Sequence, residues 1–176
     1  MMDTAPVSGL APEFEVAAWL NTPGPLTLAA LRGKVVAVYA FQMLCPGCVS
    51  HALPQAKAME ALFGRHEVAV LGLHSVFEHH AAMGPEALAA FLHEYRIGFP
   101  VGVDMAGEDT PVPRTMARYR MRGTPTLLLF DRAGRLRHSL FGHQADMGVG
   151  ALVGALLAEE VKDAACDEQA CRLPEG

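Results

Sequence analysis

Apolar positions recur along this chain in two rhythms that take turns. Residues 34–41, KVVAVYAF, are a continuous apolar run rich in β-branched and aromatic side chains, as expected of a strand buried on both faces. From Pro46 the rhythm turns helical. Ala52, Ala56, Met59 and Phe63 fall at three- and four-residue steps, Pro54 inside the pattern predicts a kink, and Gly64 predicts a stop. Residues 67–76, EVAVLGLHSV, read as a second buried strand, and 85–96, PEALAAFLHEYR, as an amphipathic helix opened by Pro85. A short strand over 99–104, a loop over 105–113 and a short helix over 114–120 follow. The runs 126–130 and 135–141, on either side of DRAGR, predict an antiparallel hairpin. Asp146 is placed to cap a last helix over 147–161. Before all of these, 14–28 reads as two short strands joined at Pro-Gly-Pro, an N-terminal β-hairpin.

Strands linked by helices imply parallel pairing through right-handed crossovers, and the late hairpin adds an antiparallel edge. The expected fold is therefore α/β, a mixed central sheet with helices on both faces. Residues 1–161 are expected to form one domain, and 162–176, KDAACDEQACRLPEG, a flexible acidic tail. The length of 176 residues suits one core, not two.

Charge narrows the partners. The net charge is −5 with acids and bases interspersed, and no basic stripe marks a nucleic-acid surface. No run approaches the roughly 18 apolar residues of a membrane span. The first residues lack the basic and apolar regions of a signal peptide, so the expected compartment is the cytoplasm.

The chemistry lies in four cysteines, paired as Cys45/Cys48 and Cys166/Cys171. Stable disulfides are uncommon in a reducing cytosol, and a close pair there points to catalysis or metal binding. Cys45 falls at the carboxyl end of a central strand and Cys48 in the first turn of the next helix, the edge where α/β sheets gather ligand chemistry. An i, i+3 spacing brings the sulfurs within reach of each other, and unpaired N–H groups at the helix start favour a thiolate. This geometry predicts Cys45 as nucleophile and Cys48 as resolving thiol. A structural zinc needs about four ligands, and the second pair, C-x4-C in the tail, is a poor complement. The histidine-rich run HSVFEHH, 74–80, fits no familiar zinc spacing. No metal and no cofactor is expected.

The order LAPEF (10–14), LRGKVVAVYAF…CPGC (31–48), FPVGVD (99–104) and GTPTLLLFDRAGRL (123–136) resembles the thioredoxin-fold thiol–disulfide oxidoreductases. The nearest branch is the TlpA-like one, which borders on the peroxiredoxins. The resemblance covers most of residues 10–160. It implies a thioredoxin-like fold and a cis peptide before Pro125, facing the cysteine pair, with the backbone of Thr124 free to pair with an extended substrate. Three departures stand out. Leu44 replaces the usual Trp before the first cysteine, Tyr39 replaces the buried acid found six residues before it in many thioredoxins, and Pro54 falls one residue late.

With Tyr39 in that place, His74 and Glu78 are the candidates for proton transfer, and His51 lies one helical turn beyond Cys48. Cys166 and Cys171 are a candidate auxiliary dithiol. GVGALVG (148–154) follows no strand, which favours close helix packing over a dinucleotide loop. The expected function is thiol–disulfide exchange in the reducing direction, with a disulfide-bearing protein or small thiol compound as substrate and an external reductant. A peroxiredoxin-like thiol peroxidase is the rival, although Gln42 stands where such a site needs Thr or Ser. A carrier binding metal through thiols and histidines is the third reading.

Overall fold

Strand β2, Val35–Phe41, is buried at every position and sits inside a six-stranded sheet. The structure is a computed structural model and describes residues 9–159. The other strands are β1 (Val16–Leu20), β3 (Val68–His74), β4 (Val101–Asp104), β5 (Thr126–Phe130) and β6 (Leu136–Phe141), in the spatial order β1-β4-β3-β2-β5-β6. β2, β3 and β4 run parallel, while β5 pairs antiparallel with both β2 and β6. The helices are α1 (Leu53–Leu62), α2 (Pro85–Glu94), α3 (Arg114–Arg118) and α4 (Asp146–Ala158). Among the described residues no helix is long and apolar enough to cross a membrane.

Side chains alternate across the central strands and build two cores. Tyr39, Phe41, Leu127 and Leu129 pack against Leu53 and Met59 of α1, Leu88 and Leu92 of α2, and Val149 and Val153 of α4. On the opposite face Val36, Val38, Leu128 and Phe130 meet Met116 of α3, Tyr119 and Leu28. Asp104, at the end of β4, is buried and accepts N–H bonds from Thr115 (2.8 Å) and Met116 (3.0 Å), which caps α3 from outside its own segment.

The anticipated N-terminal hairpin does not form. Its first strand is β1, which pairs antiparallel with β4 and lays Trp19 beside Gly102. The second half is drawn away by Glu13, whose carboxylate accepts the N–H groups of Leu28 (2.6 Å) and Ala29 (2.8 Å) and anchors a 3₁₀ turn at Ala29–Leu31. Pro23 and Pro25 have no N–H to offer a ladder. Asp146 is also not a cap. It is the first residue of α4, and its carboxylate accepts from Gln55 Nε2 at 2.7 Å. Ahead of Pro54 a π-helical turn, Cys48–Ala52, leads into α1, which carries that proline in its first turn.

The β5–β6 turn is organised by Asp131. Its buried carboxylate accepts the N–H groups of Ala133 and Arg135 (both 3.0 Å), Arg135 Nε (2.8 Å) and an Arg137 guanidinium N–H (3.3 Å). Burial alone would raise its pKa, but these donors outweigh burial and hold it below the ordinary value. A depressed carboxylate contributes stability above its unfolded pKa of about 3.9 and loses it as pH falls through the folded value. Asp131→Ala should therefore cost about 2 kcal/mol at pH 7, and clearly less at pH 3, by urea denaturation.

Candidate active site

The edge of the sheet where β2 and β3 end carries the first cysteine pair. After Phe41 the chain turns so that residues 46–62 form one helix, and Cys45 is the residue before it. Pro46 suits that start, because its missing N–H would have no helical partner there. The Cys48 N–H donates to Cys45 Sγ at 3.2 Å, so the sulfur occupies the place of an N-cap acceptor. The Cys45 thiol donates in turn to the Thr124 carbonyl at 3.6 Å. The Thr124–Pro125 peptide is cis, and a Cβ on Gly47 would lie 3.4 Å from Pro125 Cδ. Sequence positions 45–48 and 124–125 thus meet at one point.

Both thiols are free, and they differ in access. Cys45 is half-buried and Cys48 is 0 % exposed. Burial pushes the Cys48 thiol up to about 12, and the hydrogen bond with Cys45 adds to the rise while contacts from Gln42 and Thr124 oppose it. A proton therefore stays on the inner sulfur until something takes it.

Three residues around the pair have duties the chain order does not reveal. Gln42 is buried; its Oε1 accepts the Phe77 N–H (3.2 Å) and its Nε2 donates to Glu78 (3.3 Å), which ties the loop after β3 to the turn before Cys45. Tyr39 is buried and its hydroxyl donates to Gln55 Oε1 at 3.3 Å. Burial, with the nearby Asp146 charge, raises the Tyr39 phenol well above its ordinary value. Leu44 is 57 % exposed at the mouth of the site.

Glu78 is exposed and engaged with Gln42. His74 is buried under Phe41, ring centroids 5.3 Å apart, and its Nε2 has no partner among the described residues. It lines a cavity of about 150 Å³ with Val76, Leu88 and Val103, on the α2 side of the sheet edge. Burial lowers its pKa to about 4. No hydrogen bond joins His74 or Glu78 to either thiol among the described residues. His51 is exposed and lies against His143, centroids 4.4 Å apart. No group of three or more His, Cys, Asp and Glu side chains suited to a metal occurs among the described residues. Cys166 and Cys171 lie outside them.

Two residues not singled out in the sequence stand beside the cis peptide. Arg122 is exposed and its guanidinium sits over the ring of Phe141, 5.0 Å from the centroid. In the sequence only Arg122 is marked, by its place next to Gly-Thr-Pro, and nothing marks Phe141.

The model of the AhpC/TSA family matches residues 7–139. Among solved structures, a thioredoxin-like superfamily protein is 57% identical, with a TM-score of 0.83, over 86% of this chain and 97% of that one. A thiol-disulfide isomerase from Corynebacterium glutamicum is 49% identical, with a TM-score of 0.84, over 88% of this chain and 99% of that one. A thioredoxin-like protein in its oxidised form, at 21% identity and a TM-score of 0.66 over 89% of this chain and 96% of that one, shares the fold. No curated protein sequence matches the chain.

Proposed function

This chain belongs to the AhpC/TSA family, and from that premise we propose that it is a thiol–disulfide oxidoreductase in which Cys45 and Cys48 reduce disulfides through a mixed-disulfide intermediate. One observation carries the reading: a half-buried Cys45 sulfur held between the Cys48 N–H and the Thr124 carbonyl, with the second thiol fully buried behind it. The likeness to a thiol-disulfide isomerase at 49% identity supports the same chemistry.

Cys45 gives its proton to solvent and attacks as the thiolate, with the Cys48 N–H donating to its sulfur. A bond forms from Sγ to one substrate sulfur, the substrate S–S bond breaks, and the departing thiolate takes up a proton from water. Cys48 then gives up its proton, attacks Cys45 Sγ and expels the second substrate thiol. Two electrons pass to the substrate, and the Cys45–Cys48 disulfide awaits an external dithiol reductant. Thr124 and Pro125 hold the substrate's backbone beside the reacting sulfurs. In a reducing cytosol the dithiol form is regenerated and the protein works as a reductase.

One observation favours disulfide exchange over the rival peroxidase reading. Gln42 offers no hydroxyl toward Cys45, and its amide is committed to Phe77 and Glu78. The two readings separate in one assay with the reduced protein. Reduction of a protein disulfide such as insulin's, at a rate well above consumption of hydrogen peroxide, is the expected result. Faster turnover of peroxide than of the disulfide would reverse the assignment.

A further inference from the structure

We propose that Arg122, laid on the ring of Phe141, reads a carboxylate of the substrate, so that the protein prefers disulfides whose reactive cysteine lies near an acidic residue of an extended peptide segment. The proposal rests on the disulfide-exchange reading and names its substrate class.

Arg65, Arg114, Arg118, Arg135 and Arg137 are each taken up by carboxylates, while Arg32, Arg96, Arg120, Arg122 and Arg132 are not, and of these Arg122 is the one laid over an aromatic ring among the described residues. Among the described residues Arg122 has no such partner and is exposed, with its guanidinium 5.0 Å over the Phe141 ring. An arginine stacked on a ring face keeps the edge of its fork open, and that edge fits a carboxylate through two parallel N–H bonds.

The platform belongs to the site. Phe141 pairs with Thr126 across β5 and β6, and the Gly142 N–H donates to the Pro125 carbonyl at 2.8 Å. The ring packs down on Gly123, where a Cβ would lie 3.0 Å from Phe141 Cε2. Thr124, the next residue, holds the Cys45 thiol through its carbonyl. Arg122 and Thr124 are two residues apart, with the chain bending at 123–125 between Arg122 and the start of β5. A substrate strand laid along Thr124 by backbone pairing would bring to Arg122 a side chain about two positions from its reactive cysteine. Phe141 supplies the flat surface that fixes the guanidinium, and Arg122 supplies the charge.

The test uses two peptides, each joined by a disulfide to a thionitrobenzoate reporter and differing only by Asp or Asn two residues from the cysteine. The full chain should reduce the Asp peptide with a kcat/KM about tenfold higher at low salt, with the gap narrowing as ionic strength rises. In Arg122→Gln the two peptides should converge. Arg122→Lys, which keeps the charge without the fork, should retain part of the gap, and Phe141→Leu should shrink it. Equal rates in the unaltered protein, or a preference that survives Arg122→Gln, would overturn the proposal while leaving disulfide exchange standing. Failure to reduce either peptide would overturn both.

Discussion

Cys48→Ser is expected to lock the protein onto its substrate: a mixed disulfide on Cys45 accumulates, and disulfide turnover falls roughly a thousandfold or more, some 4 kcal/mol of barrier. The reason is the placement of the two sulfurs. Cys45 can still attack, because its access and its acceptor position at the helix start do not depend on the Cys48 side chain; the bond it receives comes from the residue-48 backbone N–H. What disappears is the second attack, which in the native protein is intramolecular and gains the large effective concentration of a group held in place. Cys45→Ser should lose turnover to the same degree with no adduct, since the buried Cys48 is out of reach of a protein substrate. Mass spectrometry of both variants after exposure to a disulfide peptide, without reductant, reads the outcome. An adduct on Cys48 in the Cys45→Ser protein would reverse the order of the two thiols.

Acidification should destabilise the protein through His74. In the unfolded chain a histidine titrates near 6.5, whereas burial in the folded protein lowers His74 to about 4. A base depressed on folding leaves stability intact above the unfolded pKa and removes it as pH falls toward the folded value. The loss between pH 7 and 4 is about 3 kcal/mol, close to 1.4 kcal/mol per pH unit in the middle of the window. Asp104, on the same cavity, acts with opposite sign. Burial raises its pKa, so its contribution is present at low pH and is lost as pH rises through the raised value. The informative quantity is therefore a difference. His74→Phe should remove the steep fall between pH 6.5 and 5 in urea midpoints, and parallel curves for the two proteins would refute the assignment. His74 also stays neutral at physiological pH and stands on the α2 side of the sheet edge.

The parts of the fold that could be read in advance are those set by local pattern. β5 falls at residues 126–130 as its apolar run predicts, and β2 begins one residue inside its own. The active pair was readable for the same reason, since a strand, a C-x-x-C and a helix are neighbours in the chain. Thr124 and Pro125 came only through resemblance; no periodicity brings position 125 to position 47. Long-range polar contacts were invisible. Leu-Thr-Leu at 26–28 has strand composition, yet a carboxylate at Glu13 claims the N–H groups of Leu28 and Ala29. His74 was placed at the correct sheet edge, but the side chain faces a cavity under α2, which strand alternation alone does not distinguish from facing the thiols. Arg122 and Phe141 meet because β5 and β6 pair, a register that neither residue announces.

The departure at Leu44 changes how this protein can be watched. Its single tryptophan is Trp19, on the edge strand β1, and the order β1-β4-β3-β2 puts two strands between it and the strand that leads to Cys45. At about 4.8 Å per strand the separation is about 14 Å across the sheet alone. Indole emission therefore reports whether β1 is docked on Gly102 and is blind to the oxidation state of the dithiol. Unfolding can be followed by fluorescence in either redox form with one signal, while the thiols themselves have to be followed by chemistry.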